Sequence, residues 1–204
     1  RMIGLFRQKY PEVSVQLQIH STRRTGWSVA NGQIDIAIIG GQLPLELNDS
    51  LQIIPFATDE LALILPTNHQ LAKKKELTKE DLYNIGFITL DAQSTTRKVV
   101  DQLLSSSGLD VQRLHIEMEL NSLEAIKNAV QANLGAAFLP VVSIERELLG
   151  GSLHRPIIAD LEVKRELKVI TNPGRYSSRA AEAFTQDILP LFASSVSPLF
   201  HGKN

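Results

Sequence analysis

With 204 residues, 43% of them hydrophobic and 21% charged, the chain has material for one large domain or two small ones with real cores. A formal net charge of -1, with no basic block longer than Lys73-Lys74-Lys75, excludes a nucleic-acid footprint within these residues. The lack of cysteine excludes disulfides and thiolate metal sites, and no apolar run approaches the roughly 18 residues of a membrane span. With no signal segment at its start, the chain is expected in the cytoplasm.

The chain opens inside a helix. Met2, Ile3, Leu5, Phe6 and Tyr10 are apolar, Pro11 stops the run, and no capping residue precedes it. A fragment whose N-terminal portion is absent is therefore expected. Residues 13–19 alternate apolar and polar and predict a strand with one wet face. Ser21 and Thr22 lead into a short helix through Trp27 and Val29, ended by Asn31-Gly32. Residues 34–39 are almost continuously apolar, which predicts a parallel strand covered on both faces, and Gly40-Gly41 follow it. This is βαβ logic.

Residues 51–56 and 60–65 read as two further strands, the second ending at Pro66. Thr78 caps a short helix with Glu80 and Asp81 in its first turn. Residues 86–90 form the next strand, followed by the polar run from Asp91 to Arg97 and a helix ending near Gly108. The stretch 113–140 reads as strand, capped helix, strand: Asn121 followed by Glu124 suggests a capping box, and Leu123, Ile126 and Val130 share one face. A helix opening directly after a buried strand turns its free N–H groups toward the sheet's carboxyl edge, which favours anions. Pro140 begins a short helix ended by Gly150-Gly151. Strands follow at 153–157 and 163–171, then a turn at Pro173-Gly174. A last helix from Ser178 buries Ala181, Phe184, Ile188 and Phe192.

Two blocks thus share one strand–loop–helix logic. The final strand and helix complete the first block, which lacks its opening strand. The expected architecture is α/β: two Rossmann-like subdomains, residues 1–64 with 169–204 and residues 65–168. They are joined by two crossing strands near residues 63–66 and 168–172. A cleft between such halves is a hinge-type site for a small ligand.

Catalysis finds little support. No G-x-S-x-G elbow, phosphate loop or dinucleotide fingerprint occurs, and the five histidines lack metal-ligand spacing. Neither enzyme activity, a metal nor a cofactor is expected. What remains are small polar groups at four strand ends: Ser21 and Thr22; Gly40 and Gly41; Thr89 with Gln93 to Arg97; Asn121 and Ser122. Any one alone is ordinary turn or cap chemistry. Together, hydroxyls, an amide, helix N-termini and one arginine suit a small polar anion. Arg97 could equally pair with Asp101 on its own helix.

The order of the motifs "FRQKYPEVSVQLQ", "ANGQIDIAIIGG", "DELALILPTNHQLA" and "ELNSLEAIKNAVQANLGAAFLP" resembles the effector-binding domain of LysR-type transcriptional regulators along essentially the whole chain. "HSTRRTGWSVANG" and "IEMELNSLEAIKNAVQ" resemble the branch that regulates Rubisco and inorganic-carbon genes in phototrophs. The resemblance implies a type 2 periplasmic-binding-protein-like fold with an effector in the cleft. It implies DNA contact only through an N-terminal winged helix-turn-helix outside this chain. Self-association is implied as an antiparallel dimer through the helices around Ser28 and Val100, with tetramers in the full-length protein. By matching positions, Thr22, Gly40, Thr89, Gln93, Thr95, Arg97, Asn121 and Ser122 are the expected effector contacts. The implied effectors are 2-oxoglutarate, 2-phosphoglycolate or a sugar bisphosphate. A transporter's solute-binding protein would share this architecture and is the alternative.

Overall fold

The computed structural model describes residues 1–193, except the side chain of Thr95. In chain order the elements are α1 (Met2–Lys9), α2 (Thr22–Ala30), β1 (Ala37–Ile39), β2 (Gln52–Pro66), α3 (Lys79–Leu82), β3 (Gly86–Leu90) and α4 (Thr95–Ser106). These are followed by β4 (His115–Leu120), α5 (Leu123–Gln131), β5 (Ala137–Pro140), α6 (Glu145–Leu149), β6 (Leu153–His154), β7 (Val163–Thr171) and α7 (Arg179–Ala183). The chain divides into two compact units, Asp59–Arg165 and Arg1–Thr58 together with the chain from Glu166. The divisions fall within β2 and β7, somewhat earlier in each strand than the crossings read from the sequence.

The unit Asp59–Arg165 is a helix–sheet–helix sandwich, and the alternation of β2 builds both of its faces. Leu61, Leu63 and Leu65 point into a core closed by α3 and α4, where Leu82, Val100 and Leu104 are buried. Ala62 and Ile64 point into the opposite core with Ile126 and Val130 of α5. Every residue from 61 to 66 is buried. Antiparallel β5 pairs with β2 from Leu61↔Pro140 to Ile64↔Ala137, and β6 continues along Leu65 and Pro66. β3 and β4 run parallel. β3 reaches the chain entering β5 through a bridge, Ile88 N–H donating to the Ala136 carbonyl at 2.7 Å. Phe87 and Phe138 stack across this junction with rings 6.0 Å apart. Thr78 caps α3 in a full capping box with Asp81.

The other unit repeats the sandwich on a smaller scale. β7 pairs with β1 on one side and β2 on the other. Val29 of α2, Ile39 and Ile170 share one core, while Phe56, Val169 and Leu189 share the other. The chain after α7 continues as a π-helical turn, Phe184–Ile188, on which α1 rests. Phe6 meets Phe184 edge-on at 5.2 Å, and Lys9 and Tyr10 both donate to the Asp187 carboxylate.

The structure corrects four expectations. Residues 13–19 form no ladder among the described residues, and Leu17 and Ile19 stand 70% and 86% exposed. Alternation supplies an apolar face, but a strand also needs a neighbour for its N–H and C=O groups. Hence the expected parallel βαβ pairing with residues 34–39 is absent. Only β1 forms there, antiparallel to β7. Residues 51–56 and 60–65 belong to one fifteen-residue strand, β2. Pro55 and Thr58-Asp59 look like a break, yet Asp59 is only 2% exposed because Arg165 on β7 reaches it through Nε and Nη2 at 2.9 and 2.6 Å. The strand expected at 153–157 is confined to Leu153 and His154.

Two predictions follow from these contacts. Arg165→Leu alone strands a buried carboxylate whose Oδ1 already lacks a partner, and should cost about 3–5 kcal/mol in denaturant unfolding. Replacing Asp59 and Arg165 together by leucine should recover most of that loss. In the other unit, hydrogen bonds from Lys9 and then Tyr10 hold the Asp187 carboxyl below its ordinary 3.8. A depressed carboxylate stabilises fully above its unfolded value, and the contribution disappears as pH falls through the folded value. Asp187→Asn should therefore flatten the acid limb of the unfolding profile below about pH 4 and leave the neutral slope unchanged.

Candidate functional site

The carboxyl ends of β3 and β4 lie side by side, with Thr89 opposite Glu119 and Leu90 opposite Leu120. The Asp91 N–H donates to the Leu120 carbonyl at 3.2 Å and holds the two strand ends together. After β3 the chain turns on Asp91, whose Oδ1 accepts from Gln93 N–H at 2.9 Å, while its carbonyl accepts from Ser94 N–H. Ser94 then caps α4, its Oγ accepting from Arg97 N–H at 3.4 Å. After β4, Ser122 caps α5, its Oγ accepting from Ala125 N–H at 3.1 Å. The cap expected at Asn121 is thus displaced by one residue, because Ser122 has the extended backbone an N-cap requires. Asn121 is exposed, and its side chain makes no hydrogen bond among the described residues.

Two helix N-termini thus open at one strand edge, and each leaves backbone N–H groups beyond the one its cap satisfies. The first turn of α4 carries no acid. It carries Arg97, whose Nε meets both carboxylate oxygens of Asp101 at 2.8 Å. Nη1 donates to the Thr89 hydroxyl and, at 3.3 Å, to the Leu90 carbonyl. Glu119 lies 3.8 Å from Nη1. The i+4 pairing with Asp101 is the arrangement that forms. Beneath this rim a small cavity of about 40 Å³ lies between the β3–β4 pair and α4, with Thr89, Thr96, Arg97 and Asp101 as its polar lining and Phe87 and Ile116 among its apolar walls.

Thr89, Gln93, Arg97, Asn121 and Ser122 are therefore gathered at one edge of the unit Asp59–Arg165. Thr95 opens α4 at the same edge, but its side chain lies outside the described residues. Thr22 and Gly40 belong to the other unit. Thr22 is the first residue of α2 and is buried, and Gly40 directly follows β1. Ser21 caps α2 with a bond from Arg24 N–H at 3.4 Å, so Ser21-Thr22-Arg23-Arg24 echoes Ser94-Thr95-Thr96-Arg97 in residue types and in cap. Two residues bearing on the edge are not among the contacts expected from the sequence. Glu119 reads as a solvent-facing strand carboxylate, and only the β3–β4 register brings it to Arg97. Ser94 sits inside a polar run where any residue could cap. Ser28 and Val100, which lie on the helices expected to form a dimer face, are themselves each 8% exposed, while Trp27 on the first of those helices is 40% exposed. No group of three or more histidine, aspartate or glutamate side chains among the described residues could hold a metal ion, and no described helix is long and apolar enough to cross a membrane.

Two α/β units strung on two common strands, each with serine-capped helices, define a type 2 periplasmic-binding-protein-like ligand-binding domain. The chain belongs to the LysR substrate binding domain family, whose model matches residues 1–192. It is 62% identical over 194 residues to a protein of Trichormus variabilis named "Probable RuBisCO transcriptional regulator" and 58% identical to one of the same name from Porphyra purpurea. Each match covers 95% of this chain but only 58% and 61% of those relatives, so the chain spans about three fifths of their length. Among solved structures it is similar to the CcmR regulatory domain of Synechocystis PCC6803 in complex with 2-PG, with TM-score 0.80 and 26% identity over 94% of this chain and 89% of that one. The effector binding domain of QuiR in complex with shikimate, at 19% identity and TM-score 0.75 over 94% and 88%, shares the fold.

If Ser122 is the cap, Ser122→Ala should lower unfolding stability by about 0.5–2 kcal/mol. Asn121→Ala should leave it nearly unchanged. Equal losses, measured by chemical denaturation, would restore the capping role to Asn121.

Proposed function

We propose that this chain is the effector-sensing part of a LysR-type regulator of carbon-fixation or inorganic-carbon genes, and that its effector is a small anionic metabolite. Support for the gene class comes from the relatives named as RuBisCO transcriptional regulators. Support for the ligand class comes from the 2-PG complex of the similar CcmR domain and from the edge itself. The observation that carries the reading is the convergence of the α4 and α5 N-termini with Thr89, Gln93, Asn121 and Ser122 at the β3–β4 edge. Backbone N–H groups at a helix start, with hydroxyl and amide side chains beside them, bind phosphate or carboxylate oxygens without needing a free cation.

Of the three expected effectors, 2-phosphoglycolate is favoured by that neighbour, ahead of 2-oxoglutarate and sugar bisphosphates. Thr22, at the start of α2, and Gly40, directly after β1, remain candidate contacts in their own unit, and the Thr95 hydroxyl is a further candidate on α4. The role is sensing, not turnover, in the cytoplasm. Effector binding shifts the population of domain conformations by its differential affinity for them. Promoter DNA is contacted by an N-terminal winged helix-turn-helix of the whole regulator, which acts as a dimer or tetramer.

Calorimetry of the whole regulator against 2-phosphoglycolate, 2-oxoglutarate and ribulose bisphosphate should find one tight ligand. Replacing Thr89 and Asn121 together by alanine should weaken it by about tenfold or more, the cost of hydrogen bonds to a charged group. Unchanged affinity in that double variant would sink the site.

A further inference from the structure

Arg97 is the one arginine at the proposed effector edge, and its hydrogen bonds among the described residues all run to its own unit. Nε is shared by the two Asp101 oxygens at 2.8 Å; Nη1 is shared by the Thr89 hydroxyl and the Leu90 carbonyl. Its side chain is 16% exposed, and Glu119 stands 3.8 Å away as a second carboxylate. A ligand anion seeking this guanidinium would compete with two carboxylates, one of them held by geometry on the next turn of the same helix. The charge is already answered within the fold.

What the guanidinium does is act on Thr89. A threonine hydroxyl left to itself is ambivalent, with one hydrogen to donate and two lone pairs to accept. Arginine has only donors, so the bond from Nη1 occupies a lone pair of Thr89 Oγ1 and turns the hydroxyl hydrogen away from the cation. Leu90, whose carbonyl takes the other Nη1 hydrogen, is the last residue of β3, so the same side chain braces the strand end on which Thr89 sits.

We propose that Arg97 is a positioning residue that fixes the Thr89 hydroxyl as a hydrogen-bond donor at the β3–β4 edge, so that this position selects acceptor-only groups such as phosphate or carboxylate oxygens. The inference rests on the effector site proposed above and deepens it. Arg97 acts through Thr89 and does not touch the ligand. Asp101 is the residue that keeps the guanidinium aimed, since both of its oxygens engage Nε and leave Nη1 directed at β3.

The test is a double-mutant cycle in the whole regulator with 2-phosphoglycolate as the calorimetric probe. Thr89→Val should weaken binding by about tenfold or more, as loss of a hydrogen bond to a charged group does. Thr89→Ser, which keeps the hydroxyl, should retain most of the affinity. Arg97→Lys should weaken binding comparably to Thr89→Val, and the double variant should be no worse than Thr89→Val alone. Additive losses overturn the proposal, because Arg97 would then act on the ligand directly or on the fold at large. A second measurement needs no ligand. Three-bond couplings to the Thr89 methyl carbon should report a single χ1 rotamer in the wild type and averaging in Arg97→Lys, and an unmoved rotamer overturns the positioning role. If the rotamer responds while Thr89→Val and Asn121→Ala both leave affinity untouched, the effector site itself is misplaced and the selectivity assigned to Thr89 is overturned with it.

Discussion

Everything in this fold depends on β2 being one strand. Its fifteen residues serve the unit that begins the chain and then, from Asp59 onward, the other unit. A strand of that length is held by continuous pairing of its backbone, here with β7, β5 and β6 in turn. The burial pattern records the change of surroundings. The first half alternates with exposed positions, while residues 61–66 are buried throughout because helices cover both faces of the sheet. The buried ion pair between Asp59 and Arg165 ties β2 to β7 just inside the second of these units, where a polar residue would otherwise break the apolar run.

The candidate site follows from the same arrangement. β3 carries buried residues at its centre while β4 exposes His115, Glu117, Met118 and Glu119, and the chain leaves the carboxyl end of each strand through a serine-capped helix. The anion preference proposed for this edge rests on backbone N–H groups and neutral side chains, while the local arginine is paired with Asp101 and lies 3.8 Å from Glu119.

Much of the edge was legible in the residue types. Thr89, Gln93, Asn121 and Ser122 were picked out as small polar groups after strands, and the structure gathers them. The sequence offers Arg97 both a ligand and Asp101, and it does not establish the Asp101 pairing because i+4 spacing permits a pairing without enforcing it. The cap of α5 was read one residue early, since Asn121 and Ser122 are both good caps and only backbone geometry distinguishes them. Glu119 reads only as a solvent-facing carboxylate in the sequence, because its relation to Arg97 runs through the register of two strands with a helix between them.

By itself the sequence determined most element types, most helix ends and the family. These rest on local chemistry: helical periodicity in α4 and α5, the Thr78 capping box, the positive φ at Gly32, Gly108 and Gly151, and motifs read in order along the chain. Only the tertiary structure decided which strands pair, that residues 51–66 make one strand and not two, that residues 13–19 stay without a ladder among the described residues, and where the Arg97 guanidinium is committed. Those outcomes depend on backbone and side-chain partners far away in the chain, and alternation or spacing within a segment carries no information about whether such a partner is present.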